Sequence, residues 1–340
     1  SLPRGRTDRP EVHRSPSVPL FLYPDVQWAF PRLRDVSEDV RRFRPDVVHV
    51  ATEFTIGLTG LKVARQLDLP LIASAHTDYD KYAARYGVDW VLRAGWRYLR
   101  WFYGQSHRVL CPSRIYQEHL HRRGVTHTGI WSRGVDTSCF NPGYRSDAYR
   151  ASVGVGPTDL LVTYIGRIAR EKNLALLLAA WDQLGSERGS AKLSLVGRGP
   201  LEAEIRRRQI PGVHVAGLLD GRPLSTAYAS ADIFAFPSAT ETFGNSLLEA
   251  MGSGLPSLVA AAGGVLEFSE HGNNAWLIEP NSVSAIADGL RRLLHDAALR
   301  RKLSEGGLRT AEQRPWDEVY DQLIADYQDA IDVRQLIRAA

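Results

Sequence analysis

Apolar residues along this chain fall in short, nearly continuous runs separated by amphipathic stretches. Asp46–Ala51 (DVVHVA), Leu71–His76 (LIASAH), Arg108–Ser113 (RVLCPS) and Thr128–Arg133 read as strands. Ile56–Leu67, Val88–Gln105 and Ile115–Arg122, between them, place apolar residues at helical spacing. Strands alternating with helices predict a parallel sheet covered on both faces. The rhythm breaks over residues 134–158, where Gly, Pro and Asp accumulate, and a domain boundary is expected there. It resumes with strands at Leu160–Ile165, Lys192–Val196, Val213–Ala216, Ile233–Pro237, Ser257–Ala260 and Ala275–Ile278. Helices are expected at Leu174–Leu184, Pro200–Arg208, Leu224–Ser230, Asn245–Ser253 and Val283–Asp296, and a last one over 316–335 follows Pro315. Residues 1–19, rich in Pro, Arg and Ser, read as a loop with one short strand at Glu11–Ser15.

The pattern predicts an α/β protein of two tandem, Rossmann-like, doubly wound domains, 1–140 and 141–315, with a C-terminal helix, 316–340, packing back on the first. In such sheets the ligand sits beyond the carboxyl ends of the strands, so two facing domains predict a site in the cleft between them.

Composition narrows the class without changing that picture. At 340 residues the chain has room for about two domains. Its 44% hydrophobic and 24% charged residues exclude a disordered chain, a collagen and a coiled coil. No apolar run approaches the roughly 18 residues of a membrane span. Two cysteines, Cys111 and Cys139, offer no disulfide framework and fit a cytoplasmic setting. A net charge of +4 does not call for nucleic acid. Arginine outnumbers lysine 37 to 5, which reads mainly as base composition of the genome, with anion binding as the lesser reading. The single methionine is Met251 and no signal-like segment opens the chain, so an N-terminal segment is expected to precede Ser1.

The densest chemical signal is Glu241-Thr-Phe-Gly-Asn-Ser-Leu-Leu-Glu249. If a helix begins near Gly244 or Asn245, Glu241 lies in the loop before it and Glu249 about one turn inside. The open amides of Phe243, Gly244 and Asn245 would then face an anion. One carboxylate can accept the vicinal hydroxyls of a ribose, and the other can hold a sugar. The same residues also read as an ordinary surface helix with scattered acids. Gly166-Arg167-Ile-Ala-Arg-Glu-Lys172-Asn173 follows a strand, and its two cations, five apart, suit a diphosphate; a solvated turn is the plain alternative. Val196-Gly197-Arg198-Gly199-Pro200 is a third strand–turn–helix junction, His76-Thr77-Asp78 lies at another strand end, and Gly263-Gly264 offers bare backbone to a ligand or simply a turn. Asp78-Tyr-Asp80 matches an Asp-x-Asp metal motif but is discounted, because Arg167 and Lys172 already supply positive charge. P-loop, nucleophile-elbow and dinucleotide fingerprints do not occur.

Taken in order, these elements resemble the retaining glycosyltransferases of the GT-B fold, family 4, over nearly the whole chain. The Glu-x7-Glu of Glu241 and Glu249, with its tail Glu-Ala-Met-Gly-Ser-Gly-Leu-Pro, is the most specific part. Within the family, His-Thr-Asp, Tyr82, Arg85-Tyr86-Gly87 and Arg133-Gly-Val-Asp-Thr137 look like a subgroup of GDP-mannose-dependent α-mannosyltransferases and sulfoquinovosyltransferases, which often act on lipids. Two departures stand out. The family's opening strand and glycine-rich turn have no counterpart in residues 1–19, and Asp80 stands where the subgroup commonly has Pro.

The resemblance implies roles. Arg167 and Lys172 would bind the donor diphosphate, and Glu249 the ribose. Glu241 would hold the hexose, aided by amides from Phe243, Gly244, Asn245 and Ser246. Gly197 and Arg198 would lie near phosphates and base, Leu219 near the base, and His76 at the reacting sugar. It implies no metal and no cofactor beyond a nucleotide-sugar donor such as GDP-mannose. The acceptor would be a hydroxyl of a lipid or glycan. A UDP-sugar-dependent transferase is the first alternative; a sugar-nucleotide 2-epimerase and a non-catalytic donor-binding fragment are the others. Residues 81–108 interleave Lys81, Arg85, Arg93, Arg97, Arg100 and Arg108 with Tyr82, Tyr86, Trp90, Trp96, Tyr98, Trp101, Phe102 and Tyr103. That reads either as a core helix with a solvated arginine stripe or as a peripheral contact with the inner, anionic face of a membrane.

Overall fold

A computed structural model describes residues 12–20, 23–80 and 89–339. The second half carries a six-stranded, all-parallel sheet of β7 (Leu161–Ile165), β8 (Lys192–Val196), β9 (Val213–Gly217), β10 (Ile233–Phe236), β11 (Ser257–Ala260) and β12 (Trp276–Ile278). In space the strands run β12-β11-β10-β7-β8-β9, so the winding reverses between β7 and β10. A crevice opens beyond the carboxyl ends of two strands at such a reversal.

Alternation along the strands divides this core between two faces. Val162, Tyr164, Leu193, Leu195, Ile233 and Ala235 pack against α6 (Leu174–Gln183) and α10 (Val283–His295). Leu161, Ile165, Phe234, Phe236 and Val259 pack against α8 (Gly221–Ala229) and α9 (Asn245–Gly252). α7 (Glu202–Arg208) joins β8 to β9.

The first half holds four parallel strands in sequence order: β3 (Val48–Val50), β4 (Leu71–Ser74), β5 (Arg108–Cys111) and β6 (Thr128–Ile130). α2 (Thr55–Gln66), α3 (Asp89–Tyr103) and α4 (Arg114–Arg122) cover one face, where Leu61, Trp96, Phe102 and Leu120 meet Ala73, Val109 and Cys111. The other face, with Ile72 and Leu110, is closed by Leu323 and Ala330 of the last helix, α12 (Trp316–Ala339). Polar contacts fasten it: Arg108 to Asp326 at 2.5 Å, His107 to Asp329 at 3.1 Å and Arg338 to Asp68 at 2.8 Å.

Several features differ from the sequence reading. Residues 12–16 form no strand. The first strand is β1 (Ser17–Leu20), paired antiparallel with β2 (Tyr23–Ala29), and α1 (Leu33–Phe43) follows. α1 (LRDVSEDVRRF) carries Leu33, Val36, Val40 and Phe43 at helical spacing, a pattern the sequence reading passed over, and of its residues only Ser37 is fully buried. The boundary segment contains α5 (Asp147–Ser152), capped by Ser146, and α11 (Ala297–Glu312) adds a helix capped by Asp296.

The chain crosses between its halves twice, and the crossings touch. Val135 N donates to the Arg314 carbonyl at 3.0 Å, and a Cβ on Gly134 would stand 2.9 Å from Trp316 backbone atoms.

Candidate active site

The loops leaving β7 and β10 meet at the reversal. After β7 the chain turns at Gly166, held by the Tyr164 hydroxyl donating to the Arg167 carbonyl at 2.8 Å. It then makes a short turn over Arg170–Lys172 and enters α6 through Asn173, which takes a left-handed conformation. Asn173 donates from Nδ2 to the Pro237 carbonyl at 3.0 Å, and Thr240 donates to the Glu171 carbonyl at 3.2 Å. These bonds lash the two loops together and bring Lys172 Nζ to 2.6 Å from Glu241 Oε1, both largely buried. Arg167 lies 3.8 Å from the buried Glu171, with its own side chain 45% exposed.

Glycines permit a second close approach. Gly197 follows β8, and a Cβ there would lie 1.9 Å from the Gly166 carbonyl oxygen. Gly264 sits against the Glu241 loop: its amide donates to the Glu241 carbonyl at 2.8 Å, and a Cβ would lie 2.0 Å from the Thr242 carbonyl oxygen. The bareness of both therefore serves contact between two of the protein's own turns. Gly264→Ala is expected to cost about 1–3 kcal/mol of stability through overpacking and to weaken binding of a nucleoside diphosphate. Thermal melting and titration calorimetry check both, and unchanged binding would mean that the Glu241 loop is set by other contacts.

α9 begins at Asn245, after Gly244 at φ +105°, and no side chain caps it. Its first amides thus stand open at an N-terminus with partial positive charge. Phe243 points inward, 4.9 Å from Phe268, so it offers only backbone to the site. Glu249, one turn in, accepts from the buried Tyr228 hydroxyl at 2.8 Å, and burial pushes its carboxyl above the usual range. Leu219, just past β9, packs its side chain on the same core as Tyr228.

The first half reaches this site through backbone groups. Thr242 Oγ1 donates to the His76 carbonyl at 3.1 Å, and Ser113 Oγ donates to the Thr242 carbonyl at 2.8 Å. Arg114 N donates to Glu267 Oε2 at 3.0 Å, so α4 is held at its N-terminus by a carboxylate of the other half. The carboxyl ends of the two sheets therefore face each other, with His76, Lys172 and Glu241 on the loops between them and Glu249 one turn into α9. The His76 ring accepts from Arg133 Nη2 on Nδ1 at 3.0 Å. Burial, with the nearby Arg133 charge, pushes it down to about 4. Thr242, Ser113 and Arg133 carry no distinctive pattern as single residues, although Arg133 falls inside a motif singled out above.

Asp80 is held by protein donors, Trp96 Nε1 at 2.6 Å and Arg123 Nη2 at 2.5 Å, and His119 Nε2 lies 3.2 Å away. Of the aromatic-rich helix, Trp96, Phe102 and Tyr103 are core, while Trp101 is 46% exposed. Lys81, Tyr82, Arg85, Tyr86 and Gly87 lie outside the described residues, as do the side chains of Trp90 and Arg93.

Comparisons with known proteins match both halves. Residues 1–138 fit the model of Glycosyltransferase Family 4, and residues 159–296 that of Glycosyl transferases group 1. A sulfoquinovosyl transferase of Arabidopsis thaliana is 32% identical over 89% of this chain; the chain spans 60% of that relative's length. A GDP-mannose-dependent alpha-mannosyltransferase of Mycolicibacterium smegmatis is 32% identical over 99% of this chain and 89% of its own. Among solved structures, Anabaena HepE in complex with UDP-glucose superposes with a TM-score of 0.74 at 20% identity, covering 87% of this chain and 82% of that one.

Proposed function

The chain belongs to the glycosyltransferases of family 4, with the GT-B fold, and from that premise we propose that it transfers mannose from GDP-mannose to a hydroxyl of a lipid or glycan, with retention of configuration and without a metal. The observation that carries the reading is the Lys172–Glu241 pair beside the open N-terminus of α9, joined through Thr242 to His76. In this reading Arg167, Lys172 and the α9 amides bind the diphosphate, and Glu249 binds the ribose. Glu241 holds the hexose, Arg198 and Leu219 flank the base, and His76 meets the sugar.

Transfer breaks the C1–O bond to the diphosphate, which leaves with the electron pair, and forms a bond from C1 to the acceptor oxygen. Fixed cations and helix amides stabilise the charge growing on the leaving phosphate, as preorganised dipoles do in general. Retention through a covalent intermediate needs a carboxylate nucleophile, and Glu241, which this reading places at the hexose, is engaged by Lys172. Front-face attack is therefore the better account, with the acceptor proton passing to the departing phosphate oxygen.

Equal identity to the sulfoquinovosyl transferase favours a second reading, a UDP-sugar donor. Incubation with a panel of nucleotide sugars and a lipid extract decides between them by the product's mass and anomeric configuration. An inverted product, or a requirement for a divalent ion, would overturn the mechanism.

Among the described residues, no helix is long and apolar enough to cross a membrane. A peripheral site at the inner face of the cytoplasmic membrane fits the surface of the first half. Phe54 stacks on Tyr98 at 6.0 Å, Tyr98 lies 5.9 Å from Trp101, and Phe54 and Ile56 are 48% and 52% exposed. Arg97 and Arg100 are exposed on the same helix. Interfacial aromatics with basic neighbours suit anionic headgroups. Binding to anionic liposomes is expected to fall with salt and to weaken several-fold in Arg97→Ser/Arg100→Ser, read by vesicle flotation. A wild-type protein that ignores such vesicles at low salt would leave a soluble acceptor.

A further inference from the structure

The Arg133-Gly-Val-Asp-Thr137 motif has no place in the donor site, yet its arginine is half-buried beside His76. Arg133 Nη1 donates to the carbonyls of Trp131 at 3.0 Å and Ser132 at 2.9 Å, and its guanidinium lies 4.5 Å above the Trp131 ring. Those contacts fix its plane and aim Nη2 at His76 Nδ1, 3.0 Å away. A guanidinium has only donors to offer, so Nδ1 must present its lone pair and the ring proton must sit on Nε2. We infer that Arg133 is a positioning residue: it holds His76 in the Nε2–H tautomer, so that the imidazole meets the donor sugar as a neutral hydrogen-bond donor and cannot serve as the base for the acceptor.

The inference rests on the proposed transfer for its purpose, but the contact itself is independent of that reading. The other charged and titratable groups around His76 act in the same direction or are already paired. His49, on β3, is itself pushed down to about 4 by burial and by Arg133. It bonds the Tyr327 hydroxyl at 2.6 Å, and also Ser74. Trp131 packs against both imidazoles, 5.4 Å from His49 and 5.7 Å from His76, and the His49 ring adds to the depression of His76. From the other half, Thr242 bonds the His76 carbonyl, and its neighbour Glu241 is paired with Lys172. A protonated His76 would lose its bond to Arg133 and face a fixed cation.

The full chain, labelled with 15N-histidine, tests this by two-bond nitrogen–proton spectra, with His76→Gln giving the assignment. The expected result is an unprotonated Nδ1 and a protonated Nε2, unchanged from pH 8 down to 5.5. In Arg133→Met the midpoint should rise by about two units toward the ordinary 6.5, and both tautomers should appear. Arg133→Lys, which keeps the charge and can still donate to Nδ1 but without the planar fork, should lie between. In transfer assays the acid limb of kcat should move up with the midpoint while KM for the donor changes little. Arg133 borders a hollow of about 440 Å³, so shortening it enlarges an existing space and leaves the packed core alone. A His76 that titrates near 6.5 in the wild type, or carries its proton on Nδ1, overturns the inference even if Arg133→Met fails to fold. A wild type with the expected tautomer that transfers no sugar overturns the proposed function instead.

Discussion

Lys172→Ala is expected to lower kcat by about 30- to 1,000-fold, the ~2–4 kcal/mol that a lost oxyanion donor typically costs. Lys172 earns the larger share of the pair's effect because it is fixed. The turn that carries it is tied by Asn173 to Pro237, and its ammonium is largely buried at 2.6 Å from Glu241. Arg167 is 45% exposed, so water screens its charge, and Arg167→Ala should fall at the lower end of that range. Removing Lys172 also leaves the Glu241 carboxylate without its partner, which adds to the loss. The Lys172→Ala/Glu241→Ala cycle separates the terms: a double mutant no worse than either single one means that the pair acts as a unit. Single-turnover rates with excess EDTA supply the check. If manganese restores the variant, or chelation stops the wild type, the two cations are not the electrostatic device supposed.

Glu241 and Glu249 are expected to fail in different ways. A ribose contact is made equally in ground and transition states, so Glu249→Ala should weaken donor binding by about 10- to 100-fold, in line with hydrogen bonds to a charged group, and leave kcat close to wild type. A contact to the reacting hexose can strengthen as charge develops, so Glu241→Ala should lower kcat more than affinity. Acidity adds a second signature. Burial raises the Glu249 carboxyl above 4.5, and ribose hydroxyls favour its ionised form. Binding therefore releases a proton: affinity climbs as pH rises through this titration and levels off above it. Glu249→Gln should abolish that dependence. Calorimetry with a nucleoside diphosphate in buffers of different ionisation enthalpy measures both, and parallel losses for the two glutamates would sink the division of roles.

The second half was legible from sequence because its strands are buried on both faces and read as apolar runs. Lys192–Val196 and Ser257–Ala260 fall where the pattern places them. The hairpin β1–β2 was not, since its Val18 and Trp28 are exposed and give no inward face to read; α1 was passed over although Leu33, Val36, Val40 and Phe43 recur at helical spacing. Charged side chains at the site announced themselves by type and spacing. What spacing cannot show is which backbone atoms meet. Thr242 reaches His76 across 166 positions, and Gly264 is bare for the sake of Thr242. Arg133 was visible as part of a motif, but its object, a ring nitrogen 57 positions earlier, belongs to the fold.

The placement of α12 sets an order on biosynthesis. Everything buried in the second half's two cores comes from between Val135 and Ala311, so that half can close once those residues have left the ribosome. The first half, though translated earlier, keeps the Ile72–Leu110 face of its sheet bare until Leu323 and Ala330 arrive. Domains usually mature from the N-terminus onward; here the younger half matures first. A nascent chain stalled before residue 316 would present one finished half and one sticky sheet, the kind of surface on which a chaperone waits.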